Sequence, residues 1–354
     1  MIRRRLALAS VFVAGCFAFF GANLRAAGGI VFEPQPGPGA GRHLVFLTGD
    51  EEYRSEEGLP MLAKILSERH GFECTVLFAE DLDGTINPAN NASLPGSEAL
   101  EHADGIVMLL RFRAWPDDAM RRFVDAVNRG VPIVALRTST HAFRYPAAST
   151  SPFKSWSDKG ADSFGKKFLG EEWINHWGAN RRGATRGVIE PSGKDDPVLR
   201  GVTDVFGDSG VYEVHPPADA KILLRGQVLT GMKPDDPPAT FTKQRRSDGR
   251  EQGINAPMMA LAWTRLVKNP ASKTNRVFCT TLGAATDLAN EGLRRLIVNA
   301  VYWGFQLDVP DAADVRFVDP YHPADYGMNT FRKGVRPDAH ALGESLPPVA
   351  PANR

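Results

Sequence analysis

Cysteine, net charge and long apolar runs are all scarce in this sequence, and each shortage narrows what the protein can be. Three cysteines occur in 354 residues. Beyond residue 27 only Cys74 and Cys279 remain, each inside an apolar strand-like run, which excludes a disulfide framework and a cysteine zinc site. The net charge is +1, so nothing electrostatic points to nucleic acid or an acidic membrane as a partner. The one long apolar run, residues 6–22, follows Arg3-Arg4-Arg5 and precedes Ala26-Ala27, the order of a secretory signal peptide. Residues 1–27 are therefore expected to direct export, which makes the protein periplasmic or secreted. Val13-Ala14-Gly15-Cys16 offers the alternative of a lipid anchor on Cys16. Also missing are the G-x-S-x-G, G-x-G-x-x-G, G-x-x-x-x-G-K-[ST] and H-E-x-x-H patterns, which removes the usual support for esterase, dinucleotide, nucleotide and zincin readings.

What is present is an ordinary globular composition, 43% hydrophobic and 23% charged. Residues 28–42 are rich in Gly and Pro without periodicity and read as a linker. From His43 the chain alternates apolar strand-like runs with helical spacing: HLVFLTGD, a helix over residues 56–70, FECTVLFAE, a strand over 105–112, a helix opened by Pro116 and stopped at Gly130, then PIVALRT. Strands this continuously apolar, alternating with helices, predict an α/β fold with a mostly parallel sheet covered on both faces. Residues 146–221 are turn-rich and read as loops and small helices. KILLRGQVL, PMMALAWTRL and RVFCTTLG follow as strands, with a helix over 291–306. The domain is expected to span 43–307, and the Pro- and Asp-rich residues 308–354 to form a surface tail.

Ligands of an open parallel sheet bind beyond the carboxyl ends of its strands. Those ends here supply Asp50, Glu51, Glu52, Tyr53 and Arg54; then Arg111 and Arg113; then Arg137, Thr138 and His141; and finally Thr286 and Asp287. Carboxylates facing arginines across one cleft would suit hydroxyl-rich ligands, although the same charges can simply cap helices and pair with one another. The segment FLGEEWINHWG adds Glu172, Trp173, Asn175 and His176, a composition suited to stacking and hydrogen-bonding a sugar. His176 or His141 is the candidate proton carrier, with Glu172 or Asp50 as its partner. No metal set is assigned: among His141, His176, Glu213 and His215 only Glu213 and His215 show ligand spacing. No cofactor is assigned either.

The runs GRHLVFLTGDEEYRSEEGLPMLAKIL, PIVALRTSTHAF, FLGEEWINHWG and NRVFCTTLGAATDLANEGLRRLIVNAVYWG resemble, in order and spacing, the trehalose-utilisation (ThuA-like) family over residues 43–305. The resemblance implies a flavodoxin-like sheet similar to class I glutamine amidotransferases and an association with trehalose and related sugars. Of three histidines common in the family, only the one in the segment matching Gly170, Trp173 and His176 carries over. Arg137 and Gly283-Ala284 stand where the other two are expected. Glutaminase chemistry needs a thiolate on a strand-to-helix turn, which neither Cys74 nor Cys279 matches. The expected partner is a small-molecule carbohydrate, either turned over or merely bound, and a homo-oligomer is compatible with the sequence.

Overall fold

The computed structural model describes residues 28–348. The expected signal peptide, Cys16 and residues 349–354 lie outside them. In chain order the first half runs β1 (Gly29–Phe32), β2 (His43–Gly49), α1 (Ser55–His70), β3 (Glu73–Leu77), β4 (Gly105–Leu110), α2 (Asp117–Arg129) and β5 (Ile133–Leu136). The second half adds β6 (Asn175–His176), β7 (Thr185–Ile189), β8 (Phe206–Gly207), β9 (Tyr212–Glu213), β10 (Lys221–Val228), β11 (Thr242–Gln244), β12 (Glu251–Gly253), β13 (Met259–Lys268), β14 (Thr274–Thr280) and α3 (Glu291–Gly304).

Ten strands form one sheet in the order β1-β3-β2-β4-β5-β14-β13-β10-β7-β8. The centre is parallel, with β2 pairing β3 and β4 (Val45 opposite Thr75 and Ile106), β4 pairing β5, and β5 pairing β14. Numbered by chain order, these five strands lie 2-1-3-4-5, the flavodoxin-like sheet expected from the sequence. Antiparallel strands extend both edges.

Alternate residues of each strand feed separate cores. Leu44, Phe46, Val107, Leu109, Val134 and Phe278 pack under α1 and α3. Val45, Leu47, Ile106, Met108, Ala135 and Val277 pack under α2 and the segment carrying Phe143, Phe164 and Phe168. Each fully buried Leu or Phe in these layers contributes about 1.5–3 kcal/mol. The helix ends follow local chemistry. Gly71 and Gly130 terminate α1 and α2 in the left-handed conformation, and the Asn290 side chain accepts from Leu293 N to open α3.

Three expectations need correction. Residues 28–42 are not merely a linker, because Ile30 and Phe32 are buried and β1 pairs with β3; the short apolar alternation GIVF prevails over the surrounding Gly and Pro. The tail is not confined to the surface. Val309, Ala313, Val315, Tyr326 and Phe331 are buried, and Lys64 of α1 donates to Ala341 O and Glu344 O. The turn-rich middle also contributes strands, with β7 and β8 extending the main sheet and β6 pairing β9.

Candidate functional site

In a 2-1-3-4-5 sheet the order reverses between the first and third strands, here β2 and β4, and that crevice collects the loops. The loop after β2 is held from within. Asp50, fully buried, accepts from Glu52 N and Tyr53 N, both at 2.7 Å, and from the Thr138 hydroxyl. Ser55 Oγ accepts from Gly49 N and Asp50 N. Across the crevice Glu51 pairs with Arg111 and, at 3.3 Å, with Arg113. Arg113 also donates to Arg111 O and Pro88 O, and burial lowers its pKa to about 10. Arg54 turns away under the C-terminal segment, where it bonds Gly327 O at 2.6 Å and Thr330.

Arg137 follows β5 directly and begins a short 3-10 turn, Arg137–His141, at φ 42°. A strained strand-to-helix turn is where many hydrolases display a nucleophile. Here the side chain is a fully buried guanidinium lying over the rings of Tyr53 (4.0 Å) and Tyr212 (4.8 Å). It donates to Thr281 O at 2.8 Å and, at 3.3 Å, to Gly210 O and Asn180 Oδ1. Burial works against this charge, but the facing tyrosines and Asp287 outweigh it and raise its pKa. Both thiols are buried in strands and pushed up by burial, so neither supplies a nucleophile.

Beside Arg137 five rings form a box. His141 meets Phe112 (5.0 Å), Trp173 (5.4 Å) and Tyr212 (6.3 Å). His176 meets the same Trp173 (5.9 Å) and Tyr212 (5.3 Å), its cross-strand partner in the β6–β9 ladder. Burial, then Arg111, Arg144, His176 and Arg137, hold the His141 pKa far below the usual range. Burial, then Arg137, Lys243 and Arg111, lower that of His176 to about 4. Both rings are therefore neutral at neutral pH. Burial and Asp50 raise Glu52 against the pull of Arg137 and Arg111.

The fold thus gathers Asp50, Glu51, Glu52, Tyr53, Arg111, Arg113, Arg137, Thr138, His141, Trp173 and His176. The expected pairing of a histidine with Glu172 or Asp50 is not formed. Glu172 pairs with Lys159 and Lys166, each at 3.5 Å, and Asp50 is committed to its own loop. Asn175 joins β6 and pairs with Glu213. Thr286 donates to Asp208, and Asp287 accepts from Ser209, Gly283 and Ala284, so neither is bonded to the residues of the box. His215 is tied to Ser247 and Glu213 on the surface.

Sequence reasoning passed over Tyr212, Asn180, Asp208 and Tyr326. Asn180 links Tyr53 OH, Arg137 and Gly210 N, while Tyr326 packs on Tyr53 at 5.3 Å. Tyrosines in VYEVH and PADYG were the available signal. Pairing them with β6 and the acidic loop required contacts between residues far apart in the chain.

No protein-family profile and no curated protein matches the chain. Solved structures do. One is a ThuA-like protein from Bacteroides uniformis, 15% identical, TM-score 0.45, covering 78% of this chain and 96% of its own. Another is a ThuA-like protein from Parabacteroides merdae, 14% identical, TM-score 0.40, covering 82% and 95%. A third is PurLQS from Thermotoga maritima, 10% identical, TM-score 0.34, covering 74% and 98%.

Proposed function

We propose that this chain binds a hydroxyl-rich small molecule of the carbohydrate class, sugar or oxidised sugar, at the histidine and aromatic box beside the β2–β4 crevice. The observation that carries the reading is His176: its Nδ1 is enclosed and has no hydrogen-bond partner in the protein, while its ring is fixed by Trp173 and Tyr212. A buried nitrogen without a partner costs about 1–3 kcal/mol, and a ligand hydroxyl admitted there by a shift of the surrounding groups removes the cost. Arg111 and Arg137 nearby disfavour a cationic ligand, and Glu52 and Asp50 disfavour a strongly anionic one. A neutral polyol stacking on Trp173 fits both constraints.

Binding without turnover is favoured over catalysis, because a histidine with a pKa near 4 is a weak base at neutral pH and the strand-to-helix turn opens on a guanidinium. Turnover is the second reading, favoured by Glu52, whose raised pKa suits a proton carrier. A thermal-shift titration with trehalose, related disaccharides and their oxidised derivatives tests the site on wild type and His176→Ala. Saturation at 100 times the dissociation constant adds about 2.7 kcal/mol. A shift lost in His176→Ala supports the reading, and an equal shift in both proteins removes it. Product formed from the bound sugar would replace simple binding by catalysis. Export belongs to the same proposal, and recovery of the chain in the periplasmic or medium fraction is its check.

A further inference from the structure

His176 Nδ1 is enclosed, so a ligand reaches it only after a neighbouring element moves. Two sides of the box belong to the core: Tyr212 is buried on β9, and His141 is buried at the end of the turn that follows β5. The third side is built differently. His176 lies on a two-residue strand whose partner in its sheet is β9, and its backbone is also held by the β11–β12 hairpin. Lys243 Nζ, on β11, donates to His176 O at 2.6 Å and to Trp177 O at 3.0 Å, and lies 5.6 Å from the Trp177 ring. At the hairpin turn Arg246 N and Ser247 N donate to the Glu213 carboxylate, both at 2.9 Å, and the Ser247 hydroxyl hydrogen-bonds His215 at 3.1 Å. Glu213 stands opposite Asn175 in the ladder, next to Tyr212 opposite His176. The hairpin therefore grips both strands that present the box.

That grip is polar. None of residues 241–253 is buried, and a cleft of about 260 Å³ lies between Arg245 and Gln252 of the hairpin and Ile222, Arg225 and Met259 of the main sheet. A segment with few buried apolar contacts opens at a lower free energy than the core, and the cleft gives it room. Trp177, buried and bonded through its indole to Ile254 O at 2.7 Å, stays as the fixed point next to His176. We propose that the β11–β12 hairpin is the gate of the histidine box and Lys243 its latch: when Lys243 releases the carbonyls of His176 and Trp177, β6 shifts and His176 Nδ1 becomes open to the ligand. Lys243 is a positioning residue, since it holds the backbone of His176 and acts on the ligand through it. The inference rests on the saccharide reading of the box for what is admitted, and adds how admission is controlled.

Two variants test the latch. Lys243→Met removes the ammonium from an unburied hairpin and leaves every ring of the box in place, whereas Lys243→Arg keeps donors for both carbonyls. Amide hydrogen exchange reads the gate without a ligand, and stopped-flow tryptophan fluorescence with trehalose and its oxidised derivatives reads admission. In Lys243→Met the Arg246 and Ser247 amides are expected to exchange about tenfold faster, the weight of one charge-assisted hydrogen bond, while the β4 amides exchange as in wild type. Saccharide association should quicken by a similar factor, because entry scales with the open population, and Lys243→Arg should stay within about twofold of wild type in both readouts. The gate is overturned if the hairpin amides of Lys243→Met exchange as in wild type, if β4 quickens with them, if saccharide associates with Lys243→Met at the wild-type rate, or if Lys243→Arg behaves as Lys243→Met does. Failure of every saccharide to bind wild type would remove the proposed function and this inference together. A thermal shift lost in His176→Ala, with unchanged association in Lys243→Met, would remove the gate alone.

Discussion

The crevice between β2 and β4 and the box beside it lie at the same end of the same sheet, and they treat their polar atoms in opposite ways. In the crevice most of the charge is paired within the protein: Asp50 holds two backbone N–H groups and Thr138, Glu51 holds two arginines, and Arg137 holds two carbonyls and Asn180, although its Nε is enclosed without a partner. In the box the groups are neutral, ring-packed and incompletely satisfied, with His176 Nδ1 unpartnered. Charge density alone therefore marks the scaffold, whereas an under-satisfied neutral group marks the place where a ligand adds something. The two regions should separate cleanly under mutation, the crevice through stability and the box through binding.

The largest expected effect is on the crevice. Arg137→Met strands Thr281 O and Gly210 O in a buried setting and removes the cation between Tyr53 and Tyr212. It should cost about 3–5 kcal/mol in urea unfolding. A loss under about 1 kcal/mol would mean that the cluster is not a scaffold.

Next comes acid. A histidine whose folded pKa is depressed contributes stability that is fully present above its unfolded pKa and is lost as pH falls toward the folded value. For His176 the window runs from about 6.5 down to about 4, which amounts to about 3 kcal/mol at 1.36 kcal/mol per unit. His141, shifted the same way by burial and by its arginine neighbours, steepens the decline. Glu52, raised by burial, works with the opposite sign and loses its contribution as pH rises. Unfolding free energies measured from pH 7 to pH 4 should fall more gently in His176→Gln than in wild type. Parallel curves would show that His176 is not buried as described.

A smaller effect separates the regions most directly. Asp50→Ala releases Glu52 N, Tyr53 N and Thr138 and should lower stability by about 2 kcal/mol, yet leave the sugar-induced thermal shift in place. His176→Ala should do the reverse. Loss of the shift in Asp50→Ala without loss of stability would make Asp50 a ligand group and dissolve the contrast.

How much of this was legible in the sequence depends on the range of the interaction. β2, α1, β4, α2, β14 and α3 were readable because their signals are local: apolar runs, helical spacing, Pro116 and Gly130. The gathering of Asp50, Arg111, Arg137 and His141 was readable because strand ends converge in any parallel sheet. β1 was hidden by Gly and Pro around a four-residue strand, and the tail by a composition that resembles loop. The roles of single residues were least visible. Asp50 and His176 look equally functional in one dimension, and only the count of partners around each, set by Thr138 88 residues away and Tyr212 on β9, tells them apart.

Glu172 is the finest discriminator. Its place beside His176 in FLGEEWINHWG suggests a partner for that histidine, but its ion pairs are with Lys159 and Lys166, whose side chains are 60% and 45% exposed. Pairs of that kind are worth about 0–1 kcal/mol. The second oxygen, Oε2, is enclosed without a partner, and an amide fills the same space. Glu172→Gln is therefore expected to shift stability by about 0.5 kcal/mol or less and to leave saccharide binding unchanged, measured by thermal shift beside His176→Ala. Abolished binding in Glu172→Gln would move the carboxylate into the box and return the site to a histidine–carboxylate pair. In that case proton transfer, and not hydrogen bonding to a neutral polyol, would be the chemistry for which the aromatic rings exclude water.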